Sequence, residues 1–510
     1  MSMSLPEDLA ALAAVVGPGF FSTTPADQTA YSRDLWPRSQ LERLAGHDPT
    51  LPAAVVWPGT AEEAAALVRI CVEAGRPIVP FGAGSGVCGG ARPMPRGVVI
   101  DLKRLKRLRQ VDREAGTIEV EAGYMGERLE RQLERLGLTL GHFPSSILCS
   151  TVGGWLAGRS AGQCSSRYGK IEDMVVDLEV VAGDGVLRRT PAYGAVGQRL
   201  DWNQAFVGSE GTLGLITAAT LRVHAQPARR CFRGWLMPDV EAGLKVMRGA
   251  MQAGLRPAVL RLYDPVDTVM VGSNPDAKHG GPLAKLKALL NEGAGGFKQR
   301  ALTTALAHPR WLNGAIDLLP QRSLLVTLTE GVEGEAEAED AAIAALARAA
   351  GGQARGEGPG RAWLAHRYDV SYKQSKLYAA GAFVDTFEVA GTWEGLGPLY
   401  EAVRRAVGDK VLVMAHFSHA YPGGGSIYFT FAGAASTRAE QLARYDAAWQ
   451  AGLDTVVAHG ATIAHHHGSG LSRRSHMDAE HGAGRAWFDA LKQALDPAGV
   501  FNPGKLFVPR

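Results

Sequence analysis

The sequence predicts an α+β fold in more than one domain, on three observations. The chain has 510 residues, enough for roughly two to four domains of about 100–200 residues each. Short apolar, strand-like runs alternate with segments of helical period, the pattern of sheets covered by helices. The chain also changes character near Pro227, and beyond it the Gly-, Lys- and Pro-rich stretch 272–300 has no clear apolar period. That stretch reads as a mobile or poorly packed connection.

The elements follow in order. Ala53–Trp57 is a short apolar run, and Pro58-Gly59-Thr60 is a turn with Thr60 placed to cap a helix ahead of Glu62 and Glu63. Ala64, Leu67, Val68, Cys71 and Val72 recur at helical spacing, Gly75 stops that helix, and Pro77–Phe81 is the next strand. Val98–Leu102, Thr117–Ala122 and Leu138–Gly141 read as strands, and Met125–Leu136 as a helix with Leu129, Leu133 and Leu136 on one face. Residues 171–223 suggest a second β-rich lobe, with strands at Met174–Val181 and Leu213–Val223. Glu330–Ala350, acidic and then Ala-rich, reads as a solvated helix. Further strands are expected at Ala382–Val389, Val411–His416, Ile427–Ala432 and Ala461–His465, with helices at Gly397–Val407 and Arg438–Ala458.

Composition excludes several functions. Hydrophobic residues make up 46% and charged residues 21%, which is globular chemistry and not disorder. The 54 Lys and Arg against 51 Asp and Glu leave a formal net charge of +3, no electrostatic case for a nucleic-acid partner. Five cysteines (Cys71, Cys88, Cys149, Cys164 and Cys231) form no C-x-x-C pair, so a reducing compartment is the simpler expectation than a disulfide framework or zinc ribbon. The start lacks the basic residues of a secretory signal, no run nears ~18 apolar residues, and Val508-Pro509-Arg510 is no peroxisomal address. A cytoplasmic protein is expected.

Three glycine loops carry the binding signal. Gly84-Ser85-Gly86-Val87-Cys88-Gly89 matches G-x-G-x-x-G, but Pro93 and Pro95 follow at once and cannot continue the helix that a Rossmann loop needs. The alternatives are a plain turn and a loop whose amides converge on a phosphate without a helix. Two later segments favour the second: Ser145-Ser146-Ile147-Leu148-Cys149-Ser150-Thr151-Val152-Gly153-Gly154, and Gly208-Ser209-Glu210-Gly211-Thr212-Leu213-Gly214. Both join small hydroxyl residues to glycine, which suits a backbone lying against an extended polar ligand.

Taken in order, Pro80-Phe81-Gly82-Ala83-Gly84-Ser85-Gly86, Ser150-Thr151-Val152-Gly153-Gly154 and Gly208-Ser209-Glu210-Gly211-Thr212-Leu213-Gly214 resemble the FAD-binding domain of the vanillyl-alcohol oxidase, or PCMH-type, flavoproteins. Tyr168-Gly169-Lys170-Ile171-Glu172-Asp173 and the tail Asp496-Pro497-Ala498-Gly499-Val500-Phe501-Asn502-Pro503-Gly504-Lys505 extend the likeness over most of the chain. The resemblance implies a two-lobed FAD domain (1–225), a substrate or cap domain with a sheet and flanking helices (226–460), and a C-terminal segment (461–510) returning to the FAD domain. It implies FAD contacts at Pro80, Phe81, Gly82, Ala83, Gly84, Ser85 and Gly86; at Ser145, Ser146, Ile147, Leu148, Cys149, Ser150 and Thr151; at Gly158, Arg159, Ser160 and Ala161; and at Glu210, Gly211, Thr212, Leu213, Gly214, Leu215 and Ile216. Many relatives attach FAD through His or Cys. No histidine lies in Phe81–Gly90, and Cys88 and Cys164 read as small packed cysteines, so non-covalent FAD is expected.

Three segments suggest the chemistry. On a strand, His465-His466-His467 would alternate, with His465 and His467 on one side. A metal would need a third ligand, and none is expected; a solvated cluster or an acid/base role are the other readings. In Ser426-Ile427-Tyr428-Phe429-Thr430-Phe431, alternation places Tyr428 and Thr430 on one face. Arg261, in Arg261-Leu262-Tyr263-Asp264, needs an anion, either Asp264 or another carboxylate or a ligand.

In order, these segments are similar to the alkylglycerone-phosphate synthase branch, which exchanges an acyl for an alkyl chain in ether-lipid synthesis. The resemblance implies an acid/base role for Tyr428, a requirement for His465, His466 and His467, and active-site places for Arg261 and for His142 near the flavin. Counting back from Asp385-Thr386-Phe387-Glu388, the substrate-carboxylate arginine of that branch falls at Gln374, which offers hydrogen bonds but no charge. Lys373, Lys376 or Arg367 would replace it after a register shift. The function expected is therefore an FAD-dependent oxidoreductase taking a hydride from an alcohol or 2-hydroxy acid onto flavin N5. The alternatives are the redox-neutral transferase and a non-enzymatic flavin-binding protein. The partners expected are a small-molecule substrate and a second copy in a homodimer, with peripheral membrane contact if the substrate is a lipid.

Overall fold

The computed structural model describes residues 5–191, 200–271, 296–318, 320–369, 374–379 and 381–509. Most of the stretch 272–300 lies outside them.

The N-terminal half is built on two sheets. The first runs Phe21–Ser22, Ala54–Val56, Val98–Asp101, Ile78–Phe81, with the last three strands parallel. The helix Ala61–Glu73 forms their crossover; Thr60 caps it by accepting from Glu63 N, and Gly75 ends it at φ +57°. No helix follows the loop after Phe81, because Pro93 and Pro95 forbid one. The second sheet is antiparallel, in the order Leu108–Asp112, Thr117–Glu121, Leu215–Arg222, Val175–Val181, Leu187–Arg189. Each sheet has its own core, one around Leu67, Ile78, Ile100 and Phe501, the other around Leu129, Trp155, Leu178 and Ile216. The C-terminal segment returns to the first sheet, where Ile78 N donates to Val500 O at 2.7 Å and Asn502 N to Ile78 O at 2.8 Å.

From residue 229 the chain builds a seven-stranded antiparallel sheet in the order Gln353–Ala354, Arg229–Met237, Ser323–Gly331, Val259–Tyr263, Leu412–Tyr421, Gly424–Ala434, Ala382–Thr392. Alternation makes it two-faced. Leu262, Phe387, Phe417, Phe429 and Phe431 join one large core with the helices Val240–Gln252, Trp393–Val407 and Arg438–Ala458. On the opposite face the register sets Glu388 against Tyr428 and Tyr428 against His416 on three adjacent strands, and His416 against Tyr263 on the fourth.

Two sequence expectations are corrected. Glu330 ends a strand, where its carboxylate accepts from Tyr168 Oη and Arg230 Nε, both at 2.7 Å. The helix that follows spans Glu335–Ala349 and is solvated on one side only, since Ala336, Ile343, Ala344 and Ala347 are buried. Ala461–His465 is not a strand: a single bridge pairs Thr462 with Ala390, and the chain then leaves the sheet.

Trp449 packs on Phe387 and Phe431 and donates to Asp385 at 3.0 Å. Trp449→Ala is expected to destabilise the chain by about 3–5 kcal/mol, measured as a lower urea midpoint.

Candidate functional site

Tight glycine packing brings the three loops together. A Cβ on Gly82 would overlap Thr151 Oγ1; on Gly84 (φ +67°) it would sit 2.6 Å from the Phe81 ring; on Gly211 (φ +70°) it would sit 2.6 Å from Pro80. Only glycine fits there, so the main chain after Phe81 lies directly against the segments at Thr151 and Gly211. Thr151 caps the short helix Val152–Ala157 through Gly154 N at 3.3 Å, and Glu210 N donates to Ala157 O at 2.9 Å. Gly158, Arg159, Ser160 and Ala161 follow that helix, and Arg159 holds φ +52°.

Not every side chain expected at the cofactor is free to reach it. Ile147 and Ile216 belong to the second core, Leu215 to the first, and Leu213 is buried. Leu148 is exposed. Arg159 is committed to Glu172 Oε1, Gln204 Oε1 and the Val207 carbonyl. Glu210 turns towards the C-terminal segment and accepts from Ser469 N at 2.5 Å and Gly470 N at 3.0 Å. What these positions can offer a ligand is backbone, with the small hydroxyl residues Ser85, Ser145, Ser146, Ser150 and Ser160 among them. His142, beside Gly162 and edge-on to Trp155 at 4.7 Å, is fully buried with neither ring nitrogen hydrogen-bonded. Burial alone pushes its imidazole down to about 3, so it is neutral. A cradle that any Cβ would fill, next to an unsatisfied buried imidazole, fits an extended dinucleotide.

The polar face of the large sheet supplies the reactive groups. The Tyr428 ring stacks on His416 at 4.7 Å and 17°, and its hydroxyl accepts from Thr386 Oγ1 at 3.0 Å. Burial pushes the phenol up to about 12; the Thr386 hydrogen bond and the Arg261 charge oppose that without cancelling it. The expectation that Arg261 makes Tyr428 acidic is thus corrected: in a buried site, desolvation of the phenolate outweighs a nearby cation. Arg261 NH2 lies 2.5 Å from His416 Nε2, and His416 Nδ1 lies 3.1 Å from Asp267 Oδ2. A guanidinium can only donate, so Nε2 accepts and Nδ1 carries the hydrogen bonded to Asp267. Asp264 is not the partner of Arg261; it faces inward, accepting from Asp267 N, Ala415 N and Tyr400 Oη. The Arg261 Nε is buried without an acceptor.

The three histidines lie on a loop and do not alternate. Their successive amides, His465 N, His466 N and His467 N, converge on Glu388 Oε1 at 3.1, 3.0 and 2.9 Å. The other oxygen of Glu388 lies 2.7 Å from His467 Nδ1 and 2.9 Å from Arg473 NH2. Arg473, fully buried, also binds the carbonyls of Ile463 and Gly468 and Cys88 Sγ. Burial works to raise the Glu388 pKa, but Arg473 and His467 hold it well below the usual carboxylate range. His466 and His467 then flank Tyr428 at 6.3 and 5.4 Å between ring centroids. Burial pushes His465 down to about 4 and His466 well below its ordinary value.

The sequence reading missed Glu388 and Arg473 as organisers, and His416, Asp267 and His419 as neighbours. The alternation around His416 and Glu388 was the one signal that could have placed them. Gln374 opens the helix Gln374–Ala379, but its side chain, like Lys373 and Lys376, lies outside the described residues. Arg367 stacks on Phe143 at 4.6 Å and on Tyr368 at 4.7 Å.

Residues 52–191 match the FAD binding domain family, and residues 226–506 match the FAD linked oxidases, C-terminal domain. The chain belongs to the FAD-linked oxidases. Like other FAD-linked oxidases, it is an FAD-dependent enzyme. It is 29% identical over 492 residues to an alkyldihydroxyacetonephosphate synthase of Trypanosoma brucei brucei, covering 93% of this chain and 75% of that one. It is 27% identical over 501 residues to a glycolate oxidase subunit of Bacillus subtilis, covering 97% and 95%. Among solved structures, an alkyldihydroxyacetonephosphate synthase superposes with a TM-score of 0.76 at 24% identity, covering 98% and 85%. A p-cresol methylhydroxylase with substrate bound does so at 0.71 and 18%, covering 98% and 96%. Both share the fold of this FAD-linked oxidase. Among its described residues no helix is long and apolar enough to cross a membrane.

His142 gives a testable acid limb. Its folded pKa lies below the unfolded value of about 6.5, so the unfolded chain binds the extra proton. Stability is then lost as pH falls from about 6.5 towards about 3, by up to about 1.4 kcal/mol per pH unit. His142→Asn is expected to flatten that limb, measured as urea midpoints against pH.

Proposed function

We propose that this FAD-linked oxidase oxidises an alcohol or 2-hydroxy acid that carries an anionic group. The observation that carries the reading is the row Arg261–His416–Tyr428: a guanidinium with no carboxylate in contact lies beside a buried, protonated phenol. Bound FAD supplies a two-electron acceptor for a hydride. The cradle at Pro80–Gly86, Ser145–Thr151, Gly158–Ala161 and Glu210–Ile216 would hold it, chiefly through backbone.

The residues divide the remaining work. Arg261, its guanidinium aimed by the His416–Asp267 pair, binds and orients the anionic group. Tyr428 holds its proton at rest, while His465 and His466 hold bare lone pairs. A substrate hydroxyl set against Tyr428 gives up its proton as the phenol passes its own towards the imidazoles flanking the ring. His142, neutral and buried, contributes a hydrogen bond without a charge. We also hold FAD to be non-covalent. Cys88 and Cys164 are buried, and burial pushes both thiols up to about 12, far from a thiolate that could attack.

A second reading, redox-neutral exchange of acyl for alkyl, draws on the His465–His467 run and on the alkyldihydroxyacetonephosphate synthases among the relatives. Anaerobic mixing separates the two. An alcohol or 2-hydroxy-acid substrate bleaches the flavin under the first reading; under the second no net bleaching occurs, and fatty acid is released from acyl-dihydroxyacetone phosphate.

Tyr428→Phe is expected to lower turnover more than tenfold with flavin content unchanged; turnover within tenfold of the unsubstituted enzyme would remove Tyr428 from the mechanism. Gly84→Val is expected to yield protein without flavin, and a normal flavin content would refute the cradle. After acid precipitation the yellow colour is expected in the supernatant, and colour in the pellet would show a covalent bond.

A further inference from the structure

Three imidazoles from two segments converge beside the Tyr428 row. His419 is on the strand Leu412–Tyr421, His465 and His466 are on the loop held by Glu388, and one nitrogen from each lies within 4.8 Å of the other two. Their ring centroids are 5.0, 4.9 and 5.1 Å apart.

Hydroxyl groups hold the outer nitrogens. Ser165 Oγ lies 2.7 Å from His419 Nδ1, Tyr421 Oη lies 3.1 Å from His465 Nε2, and the two hydroxyls are 3.2 Å apart. A hydrogen bond at the far nitrogen fixes the tautomer and orientation of a metal-binding imidazole. It leaves Nε2 of His419 and Nδ1 of His465 available as ligand atoms. Nδ1 of His465 and Nδ1 of His466 stand 2.8 Å apart. Two bare lone pairs at that distance repel, so either a proton or a cation belongs between them. An ion with metal–nitrogen bonds near 2.0–2.1 Å places tetrahedral ligands roughly 3.4 Å apart, between the 2.8 Å and 4.8 Å found here.

We propose that His419, His465 and His466 form a binding site for a divalent transition-metal ion of the zinc class, contrary to the absence of metal expected from the sequence. Three imidazoles leave a fourth position open, the arrangement of sites that bind a reacting oxygen. The ligand set is uncharged, and Lys170 and Arg473 act on the same histidines as cations. The only carboxylate acting on the trio from the same loop anchor, Glu388, is already paired with Arg473. The fourth ligand is therefore an anionic oxygen: hydroxide, alkoxide or carboxylate. The site rests on the geometry of the trio and not on the reaction proposed above.

Metal binding is read without turnover. FAD-loaded full-length protein is stripped with a chelator and titrated calorimetrically with Zn²⁺, and separately with Co²⁺ followed by difference absorbance. The expected result is one ion per chain, with the absorption bands of four-coordinate cobalt ligated by nitrogen. His419→Ala is expected to weaken binding at least tenfold with flavin content and melting temperature retained, whereas His308→Ala, at an exposed helical position, leaves it unchanged. No saturable binding to the unsubstituted protein, cobalt bands of a six-coordinate hydrated ion, or binding untouched by a folded His419→Ala protein would each overturn the proposal. If His419→Ala fails to fold, the cobalt spectrum of the unsubstituted protein decides alone.

Discussion

Glu388 is a fully buried carboxylate that would be untenable without partners. One of its oxygens accepts three consecutive amides, and the other meets a buried guanidinium and an imidazole. Because Arg473 also binds Ile463 O, Gly468 O and Cys88 Sγ, the pair ties together the edge strand of the large sheet, the histidine loop and the glycine loop of the FAD domain. The histidines stand beside Tyr428 because their own backbone is bound, not because a strand presents them. Removing either partner would leave the other charged and buried, which is strongly destabilising for pairs of this kind. The same interaction that stabilises the junction therefore sets the site's geometry.

A second constraint is the two-faced sheet. Strict alternation sends Phe387, Phe417 and Phe429 into the core under the helices and leaves Glu388, His416 and Tyr428 on the other side. Three polar residues in register on adjacent strands give a rigid row whose spacing the ladder sets. On this row burial controls protonation: the phenol keeps its proton and the imidazoles lose theirs. The cradle on the FAD-domain side works through the opposite economy, with side chains absent or committed elsewhere and the main chain left exposed. Glu210 joins the two regions, since its backbone lies in the cradle and its carboxylate grips Ser469 and Gly470.

Much of this was legible in the residues. Thr60, Gly75 and the periodic apolar positions between them define the first crossover helix, because capping and helical period are local. The helix Arg438–Ala458 was read to its observed ends for the same reason. The glycine loops were legible because a missing side chain at fixed spacing is visible in one dimension. The strand Ser323–Gly331 was not recognised: it is buried along nearly its whole length, so it shows an apolar run without alternation. The histidine run was misread as a strand because alternation was assumed where only one bridge exists.

By itself, then, the sequence determined the α+β class, the glycine cradle with its FAD-linked resemblance, and Tyr428 and Arg261 as residues to watch, all of which depend on neighbours a few positions apart. The tertiary structure decided which groups meet. It set Glu388 under the histidine loop, Arg473 against Cys88, 385 residues away, and His419 beside His465 and His466. It also decided their protonation, because a pKa depends on how much water a fold removes and which charges it brings close, and neither quantity exists until distant segments have packed.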